Sequence, residues 1–140
     1  MGSRKSQVAG QKSLASIEMA TVKKFEELRI WNDSRALVNE VYKSLSNSEE
    51  GSKDWGFRNQ IQQAAISVMN NIAEGYERDS DKDFARFLDI AKASCGEVRS
   101  MLYIGQDLEY FDEALARQMR SDAAKIAKGI ATLSKHLRKS

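Results

Sequence analysis

Few side chains in this sequence could act as nucleophiles, proton-transfer groups or metal ligands. The chain of 140 residues has one histidine, His136, and one cysteine, Cys95. It contains no Glu-x-x-His pair, which a di-metal carboxylate site in a helical bundle requires, and no glycine-rich phosphate loop or hydrolase signature. Cys95 falls within an apolar stripe with no histidine at helical spacing, so we expect a packed thiol. The sequence therefore predicts no catalytic residue, no metal ion and no cofactor.

Two acids, Glu74 and Glu97, lie nearest to apolar sequence, and a pair of carboxylates can transfer protons. No nucleophile or metal ligand accompanies them. We expect these acids, together with the amides of Gln60 and Asn71, to form polar contacts at a helix interface, because buried polar groups need partners. An enzymatic site at a subunit junction that uses Glu74 or Glu97 stays open as an alternative.

The charges are unevenly distributed along the chain. From Glu26 to Glu113 there are ten Lys and Arg against eighteen Asp and Glu, a net charge of −8. From Arg117 to Lys139 there are seven Lys and Arg against Asp122 alone, a net charge of +6. The end of the chain is therefore a basic element attached to an acidic body.

The basic residues near the C-terminus fall within about 140° of one another on a helical wheel. They are Arg117, Arg120, Lys125, Lys128, Lys135, Arg138 and Lys139. Such a face can bind phosphates with salt-dependent affinity that is largely independent of sequence. It can equally be a solvated helix face whose C-terminal cations complement the helix dipole. Few aromatic residues are interspersed, so we expect backbone binding and no base stacking.

Apolar periodicity and the absence of proline predict four long helices. They span about 22–46, 55–75, 80–105 and 112–138 and make up one domain, residues 22–140. Asp54, Asp79 or Ser80, and Asp112 are candidate N-caps, and Gly75 is a candidate left-handed C-cap. Residues 1–21 are predicted to be a flexible or artificially added extension that lies outside the fold.

The second and third predicted helices are apolar on two sides. In the second helix, a stripe of Phe57, Ile61, Ala64, Val68 and Ile72 is predicted to face the core. Other apolar residues point away from the core stripes, which predicts contacts between subunits. These candidate interface residues are Ile66, Met69, Ala73, Ile90, Ala93 and Ile104.

Four helices joined by short loops are expected to pack as an antiparallel up-down-up-down bundle. No apolar run is long enough to span a membrane, and the first 18 residues lack the apolar core of a signal peptide. A single cysteine fits a reducing compartment. We therefore expect a cytoplasmic protein without a membrane partner.

Several short motifs occur in a fixed order along the chain. They are Phe25-Glu26-Glu27-Leu28 with Trp31, Gln60-Ile61, Ser67-Val68, the string from Asn71 to Gly75, Phe84, Phe87-Leu88, Ala91, Ser94 and Glu97. This set resembles the bacterial four-helix-bundle proteins encoded in 23S rRNA intervening sequences, over about residues 25–137. The resemblance implies an all-helical bundle that assembles as a ring, expected to be a homopentamer.

The same resemblance implies similarity to the accessory protein of diversity-generating retroelements, a basic pentameric bundle that associates with a reverse transcriptase and with nucleic acid. It offers no catalytic residues. We expect a non-enzymatic accessory or assembly protein that binds RNA or DNA through the basic face of the last helix. The alternative is a protein-interaction scaffold whose basic helix engages an acidic partner. The expected partners are further copies of the chain, RNA or DNA, and a reverse transcriptase or another protein.

Overall fold

The structure is a computed structural model that describes residues 13–139, and these residues are all-helical with no β-strand. The five α-helices are α1 (Leu14–Thr21), α2 (Arg29–Ser46), α3 (Trp55–Tyr76), α4 (Asp81–Asp107) and α5 (Glu113–Arg138). Short 3₁₀ turns at Phe25–Glu27 and Gly51–Lys53 precede α2 and α3. The all-α prediction is confirmed, and the ends of α3, α4 and α5 lie within two residues of the predicted ones.

The long helices pack together as a helical bundle. α2 packs on α3, α3 on α4, α4 on α5, and α5 returns to α2. The predicted stripe of α3 is buried in full, with Ile61, Val68 and Ile72 completely inaccessible to solvent. α4 contributes Leu88 and Cys95 to the same core. Helical periodicity was therefore sufficient to identify the residues that close the bundle.

Polar side chains begin three of the bundle helices as the sequence predicted. Asp54 accepts a hydrogen bond from the amide of Phe57 at 3.1 Å, Ser80 from Asp83 at 3.1 Å, and Asp112 from Leu115 at 2.8 Å. Each cap satisfies one of the amides that the first turn of a helix leaves free. Of the two candidates at the start of α4, Ser80 is the cap and Asp79 is not.

The first bundle helix begins at Arg29 and not near residue 22, which corrects the predicted boundary. Leu28 adopts an extended conformation, with φ −74° and ψ 129°, and its side chain is fully buried. Burying Leu28 turns the chain out of helical geometry, so Phe25 lies edge-to-face against Trp31 with ring centroids 5.1 Å apart. The apolar residues before Leu28 therefore belong to a turn that the buried side chain of Leu28 holds against the core, and not to a helix.

The short helix α1 lies in the segment that the sequence assigned to an extension outside the fold. Its residue Ala15 is buried and Met19 packs against the core. The carboxylate of Glu18 accepts a hydrogen bond from the amide of Arg29 at 2.8 Å and so caps α2, whose own preceding residue provides no side-chain cap. Residues 14–21 therefore differ from the prediction, while residues 1–12 lie outside the described part of the chain.

Gly75 does not cap α3, which corrects another prediction. The helix continues through it to Tyr76, and no described glycine has a positive φ. Instead, Gly75 lets α3 approach α4, because a β-carbon there would lie 2.8 Å from both Phe84 Cδ1 and Phe87 Cβ. Its role is close packing of two helices.

Glu109 ends α4 in a left-handed conformation, with φ 61°. Its amide donates to the carbonyl of Gln106 at 2.9 Å, and the amide of Tyr110 donates to the carbonyl of Gly105 at 2.8 Å. This pair of bonds is a Schellman motif, in which glycine is the favoured left-handed residue. Glu109 therefore occupies a position where its β-carbon is unfavourable.

Replacing Glu109 with glycine is expected to raise the free energy of unfolding by about 1 kcal/mol, because glycine adopts the left-handed conformation without steric cost. Urea denaturation followed by circular dichroism measures this change. Glu109→Ala is the control, since it removes the charge but keeps the β-carbon. Equal stability of the glycine and alanine variants would contradict the steric explanation.

Candidate functional site

The basic face predicted for the last helix lies on the solvent side of α5. The opposite side of α5 buries Met119, Ile126, Ile130 and Leu133 in the core. This amphipathic packing fixes the rotation of the helix and turns its cations outward. Of the seven predicted cations, Arg120 is partly buried and the other six are exposed.

The three arginines of this face are engaged within the chain. The guanidinium of Arg138 donates to both carboxylate oxygens of Asp89, at 3.1 Å and 2.5 Å, and ties α5 to α4. Arg120 donates to Gln106 at 2.7 Å and stacks over the ring of Tyr103 at 4.1 Å from its centroid. Arg117 pairs with Glu113 one turn earlier. These arginines are therefore less available to a ligand than their exposure suggests.

The hydrogen bond from Arg138 holds the pKa of Asp89 below its ordinary value, with Ser134 and Lys92 acting in the same direction. The same bond raises the pKa of Arg138. Both side chains are about half exposed, so solvent screens the pair. The pair mainly sets the orientation of Arg138 across the groove between α4 and α5.

Within the predicted basic face, the charge without an ion pair lies on the four lysines. Among residues 13–139, no carboxylate lies within 4.0 Å of the amino groups of Lys125, Lys128, Lys135 or Lys139. Lys128 and Lys135 are two helical turns apart on nearly the same line of α5. Lys125 is set apart, because it lines a groove between α2 and α5 that also contains the acids Asp33, Glu40 and Asp122.

Lys92 joins this set from the neighbouring helix. It lines a shallow groove between α4 and α5 together with Lys135, Arg138 and Lys139, and it too has no ion pair in the described chain. Lys92 was not among the predicted binding residues, because it lies in an acidic segment of the sequence. Only the antiparallel register of α4 and α5, also visible in the contact of Asp89 with Arg138, places it beside Lys135. We call Lys92, Lys128, Lys135 and Lys139 the lysine face.

The predicted subunit-interface residues fall into two groups. Ile66, Met69 and Ala73 of α3 are partly buried, and the last two pack against the chain's own core. On α4, Ile90, Ala93 and Ile104 are exposed, with the two isoleucines 42% and 46% accessible. Contacts within the chain therefore account for part of the second apolar side of α3. The three apolar residues of α4, in contrast, are exposed to solvent.

Of the predicted polar interface residues, Gln60 and Glu97 bond between α3 and α4, whereas Asn71 and Glu74 bond to residues four positions away in sequence. Gln60 donates to Glu97 at 3.2 Å, and the side-chain amide of Asn71 donates to the carbonyl of Ser67 at 2.8 Å. Glu74 accepts a hydrogen bond at 3.0 Å from Arg78, which lies just beyond the end of α3. Since Gln60 and Glu74 are 14 residues apart, Glu97 and Glu74 are separated by about 20 Å along α3. These two acids do not form a carboxylate pair.

Cys95 is fully buried in α4, as the apolar stripe predicted. Burial raises the pKa of its thiol to about 12, and Arg99 only partly opposes this. His136 lies near the end of α5 and is partly buried. The described residues contain no group of three His, Cys, Asp or Glu side chains that could hold a metal ion. No helix among residues 13–139 is long and apolar enough to cross a membrane.

The sequence family described as 23S rRNA-intervening sequence protein matches residues 26–132, which is most of the bundle. The chain belongs to this family. The family resemblance in the sequence is thereby confirmed. The matched range covers α3 and α4 completely and ends within α5, so Lys135, Arg138 and Lys139 lie beyond it.

A solved relative of this family member comes from Bacteroides thetaiotaomicron. It is described as a protein of unknown function from the S23 ribosomal protein family, and the two chains are 24% identical. The match covers 76% of this chain and 98% of the other, with a TM-score of 0.68. This similarity supports the helical fold. No curated protein matches the chain.

Proposed function

We propose that this family member is a non-enzymatic accessory or assembly protein that binds the phosphate backbone of RNA or DNA through its lysine face. The observation that carries the proposal is the set of four exposed lysines from α4 and α5 without carboxylate partners in the described chain. Unpaired lysines can exchange their counterions for phosphates, which is the main source of affinity in backbone binding.

The arrangement favours backbone contacts over base recognition. Among residues 13–139, Tyr103 is the aromatic residue that stacks with a cation of the predicted basic face, and Arg120 already covers one side of its ring. A base would have to displace that guanidinium before it could stack there. Lysine ammonium groups, in contrast, act as point charges and bind phosphates without a fixed geometry. The expected ligand is therefore nucleic acid of many sequences.

The finer architecture is part of the same proposal. We propose that the four long helices form an up-down-up-down bundle whose copies assemble through Ile90, Ala93 and Ile104 of α4 into a ring-shaped homo-oligomer, a homopentamer by family resemblance, in the cytoplasm. The exposure of these three side chains supports such a contact. A ring would repeat the lysine face and strengthen its field. Sedimentation velocity of the full chain tests the assembly, and a monomer at high concentration would contradict it.

Changing all four lysines of the lysine face to glutamate is expected to weaken binding to labelled RNA or DNA duplexes by at least 100-fold at 50 mM salt. For the unaltered protein, about four phosphate contacts predict a roughly 100-fold loss of affinity between 50 and 200 mM salt. Fluorescence anisotropy titrations with a single-stranded and a double-stranded probe measure both effects.

The matched control changes Lys23, Lys24, Lys43 and Lys82 to glutamate, which alters net charge equally at exposed positions outside the lysine face. It is expected to weaken binding less than tenfold. Equal losses for the two variants would show attraction by net charge alone and contradict a defined face. If the unaltered protein shows no salt-dependent binding, the lysine face is better explained as a scaffold surface for an acidic protein partner.

A further inference from the structure

The end of the bundle that carries the α2–α3 and α4–α5 loops exposes several large apolar side chains. Trp55 is 66% accessible and Leu108 is 51% accessible, and Tyr103 and Ile104 are also exposed in the last two turns of α4. Half of the eight exposed large apolar residues in the described chain therefore lie at this end. Large apolar residues exposed at one end of a bundle are candidates for an interaction surface. We call Trp55, Tyr103 and Leu108 the apolar end, because Ile104 belongs to the proposed contact between subunits.

Intrachain contacts hold this end in a fixed arrangement. The hydroxyl of Tyr110 in one loop donates to the carboxylate of Asp54 in the other at 2.6 Å. Beneath them, the ring of Phe57 packs against Tyr110 and Phe111, with centroids 5.3 Å and 6.3 Å away. Above this core, Arg58 lies 5.3 Å from the ring centroid of Trp55. A fixed aromatic anchor loses little entropy on binding, which favours its use in recognition.

The surroundings of the apolar end are acidic on balance. Residues 47–54 and 106–113 contain seven acids and one cation, Lys53. Three arginines also contact this end, with Arg58 against Trp55, Arg120 over Tyr103 and Arg117 paired with Glu113, so that acids outnumber cations by seven to four. The acids are Glu49, Glu50, Asp54, Asp107, Glu109, Asp112 and Glu113. Such a field repels nucleic acids and anionic lipid surfaces and attracts cations. The charge complement of this end is therefore a cationic partner with apolar side chains of its own.

We propose that the apolar end is a docking surface for a cationic amphipathic segment of another protein. The apolar side chains of that segment would cover Trp55 and Leu108, and its lysines or arginines would face the acids of the two loops. This surface lies far from the lysine face. Along α5, Glu113 and Lys139 are separated by 26 residues, or about 39 Å. Both surfaces can therefore be occupied together, and this proposal does not depend on nucleic-acid binding.

A synthetic 18-residue peptide with lysine and leucine at amphipathic helical spacing is the probe. We expect it to bind the full-length protein with micromolar affinity and to shift the fluorescence of Trp55 to shorter wavelength, since the other tryptophan, Trp31, is already buried. A peptide of the same composition with scrambled order is expected to bind at least tenfold more weakly. Equal binding of the ordered and scrambled peptides would overturn the proposal.

Two variants test the surface itself. The double variant Trp55→Ser and Leu108→Ser is expected to weaken peptide binding at least tenfold, as measured by anisotropy of a labelled peptide. The matched control, Leu14→Ser with Tyr42→Ser, changes two exposed apolar residues elsewhere and is expected to change affinity less than twofold. Circular dichroism confirms that both variants keep their helix content. Equal affinity of the two variants would overturn the proposal.

The acids are tested separately. Changing Glu49, Glu50 and Glu109 to lysine is expected to abolish binding of the ordered peptide, whereas changing Glu26, Asp33 and Glu77 to lysine is expected to preserve it within threefold. Equal loss in both sets would show unspecific attraction and overturn the proposal. If Trp55→Ser with Leu108→Ser instead abolishes self-association in sedimentation, the surface belongs to a second copy of the chain, which also overturns it.

Discussion

The thiol of Cys95 is expected to react with Ellman's reagent at pH 8 about a thousandfold more slowly in the folded protein than in the urea-unfolded chain. Its side chain is fully buried, and burial raises the pKa of the thiol from 9.0 to about 12. Because the thiolate is the reactive species, a thiol pKa of about 12 in place of 9.0 lowers the thiolate fraction at pH 8 about a thousandfold. Absorbance of the released reagent anion measures both rates.

The control places a cysteine at an exposed position of the same helix, Ser100→Cys in a Cys95→Ala background. Its reaction is expected to differ by only a fewfold between the folded and unfolded states. A native Cys95 that reacts as fast as this control would mean that α4 does not bury its stripe. The rate at which Cys95 reacts in the folded protein then measures how often the bundle opens to expose the thiol.

The same shift makes stability depend on pH in a defined direction. A group whose pKa is raised by folding stabilises the folded state fully below its unfolded pKa and loses that contribution as pH rises through the folded value. For Cys95 this window runs from about pH 9 to about pH 12. The urea midpoint of the unaltered protein is therefore expected to fall more steeply above pH 9 than that of Cys95→Ala.

Gly75→Ala is expected to destabilise the folded protein by about 2 kcal/mol, although alanine is the better helix former. The added β-carbon would lie 2.8 Å from Phe84 Cδ1 and Phe87 Cβ, and 3.2 Å from the carbonyl oxygen of Phe84. Part of this contact is the backbone of α4, which cannot rotate away. Overpacking of this kind costs about 1–3 kcal/mol and outweighs the gain of about 1 kcal/mol in helix propensity.

Gly96→Ala is the matched control, because Gly96 lies within α4 and a β-carbon there would meet no atom within 4 Å. Helix propensity alone then applies, and the variant is expected to gain about 1 kcal/mol. Urea denaturation of both variants gives the two signs directly. A Gly75→Ala protein as stable as Gly96→Ala would contradict the close approach of α3 and α4.

The bundle helices could be predicted well from the sequence, because apolar spacing and N-caps are signals between residues that are close together in the chain. The stripe from Phe57 to Ile72 repeats at helical spacing, and Asp54, Ser80 and Asp112 stand directly before apolar runs. Each of these signals depends on neighbours within about four residues. The same reasoning located the basic face, since the core residues of α5 fix which side of that helix faces solvent.

The incorrect or missing predictions depend on contacts between distant segments. The extended conformation of Leu28 is stabilised by burial of its side chain in the core. The position of α1 depends partly on the hydrogen bond that the amide of Arg29 donates to the carboxylate of Glu18. Gly75 has the residue type of a helix cap, but its neighbours across the interface give it a packing role. Lys92 joins the lysine face only through the register of α4 and α5. None of these contacts can be inferred from residues that are close together in the sequence.

Because three of the four helix pairs in the bundle join neighbours in sequence, most of the chain can assemble without closing a long loop. Helical bundles with such local contacts fold within microseconds to milliseconds. The contact of α2 with α5 is the exception, because it brings the two ends of the bundle together and closes the largest loop. α1 packs beside both of these helices, so it can reach its final place only after they have met. We therefore expect α1 to dock last during folding and to detach first.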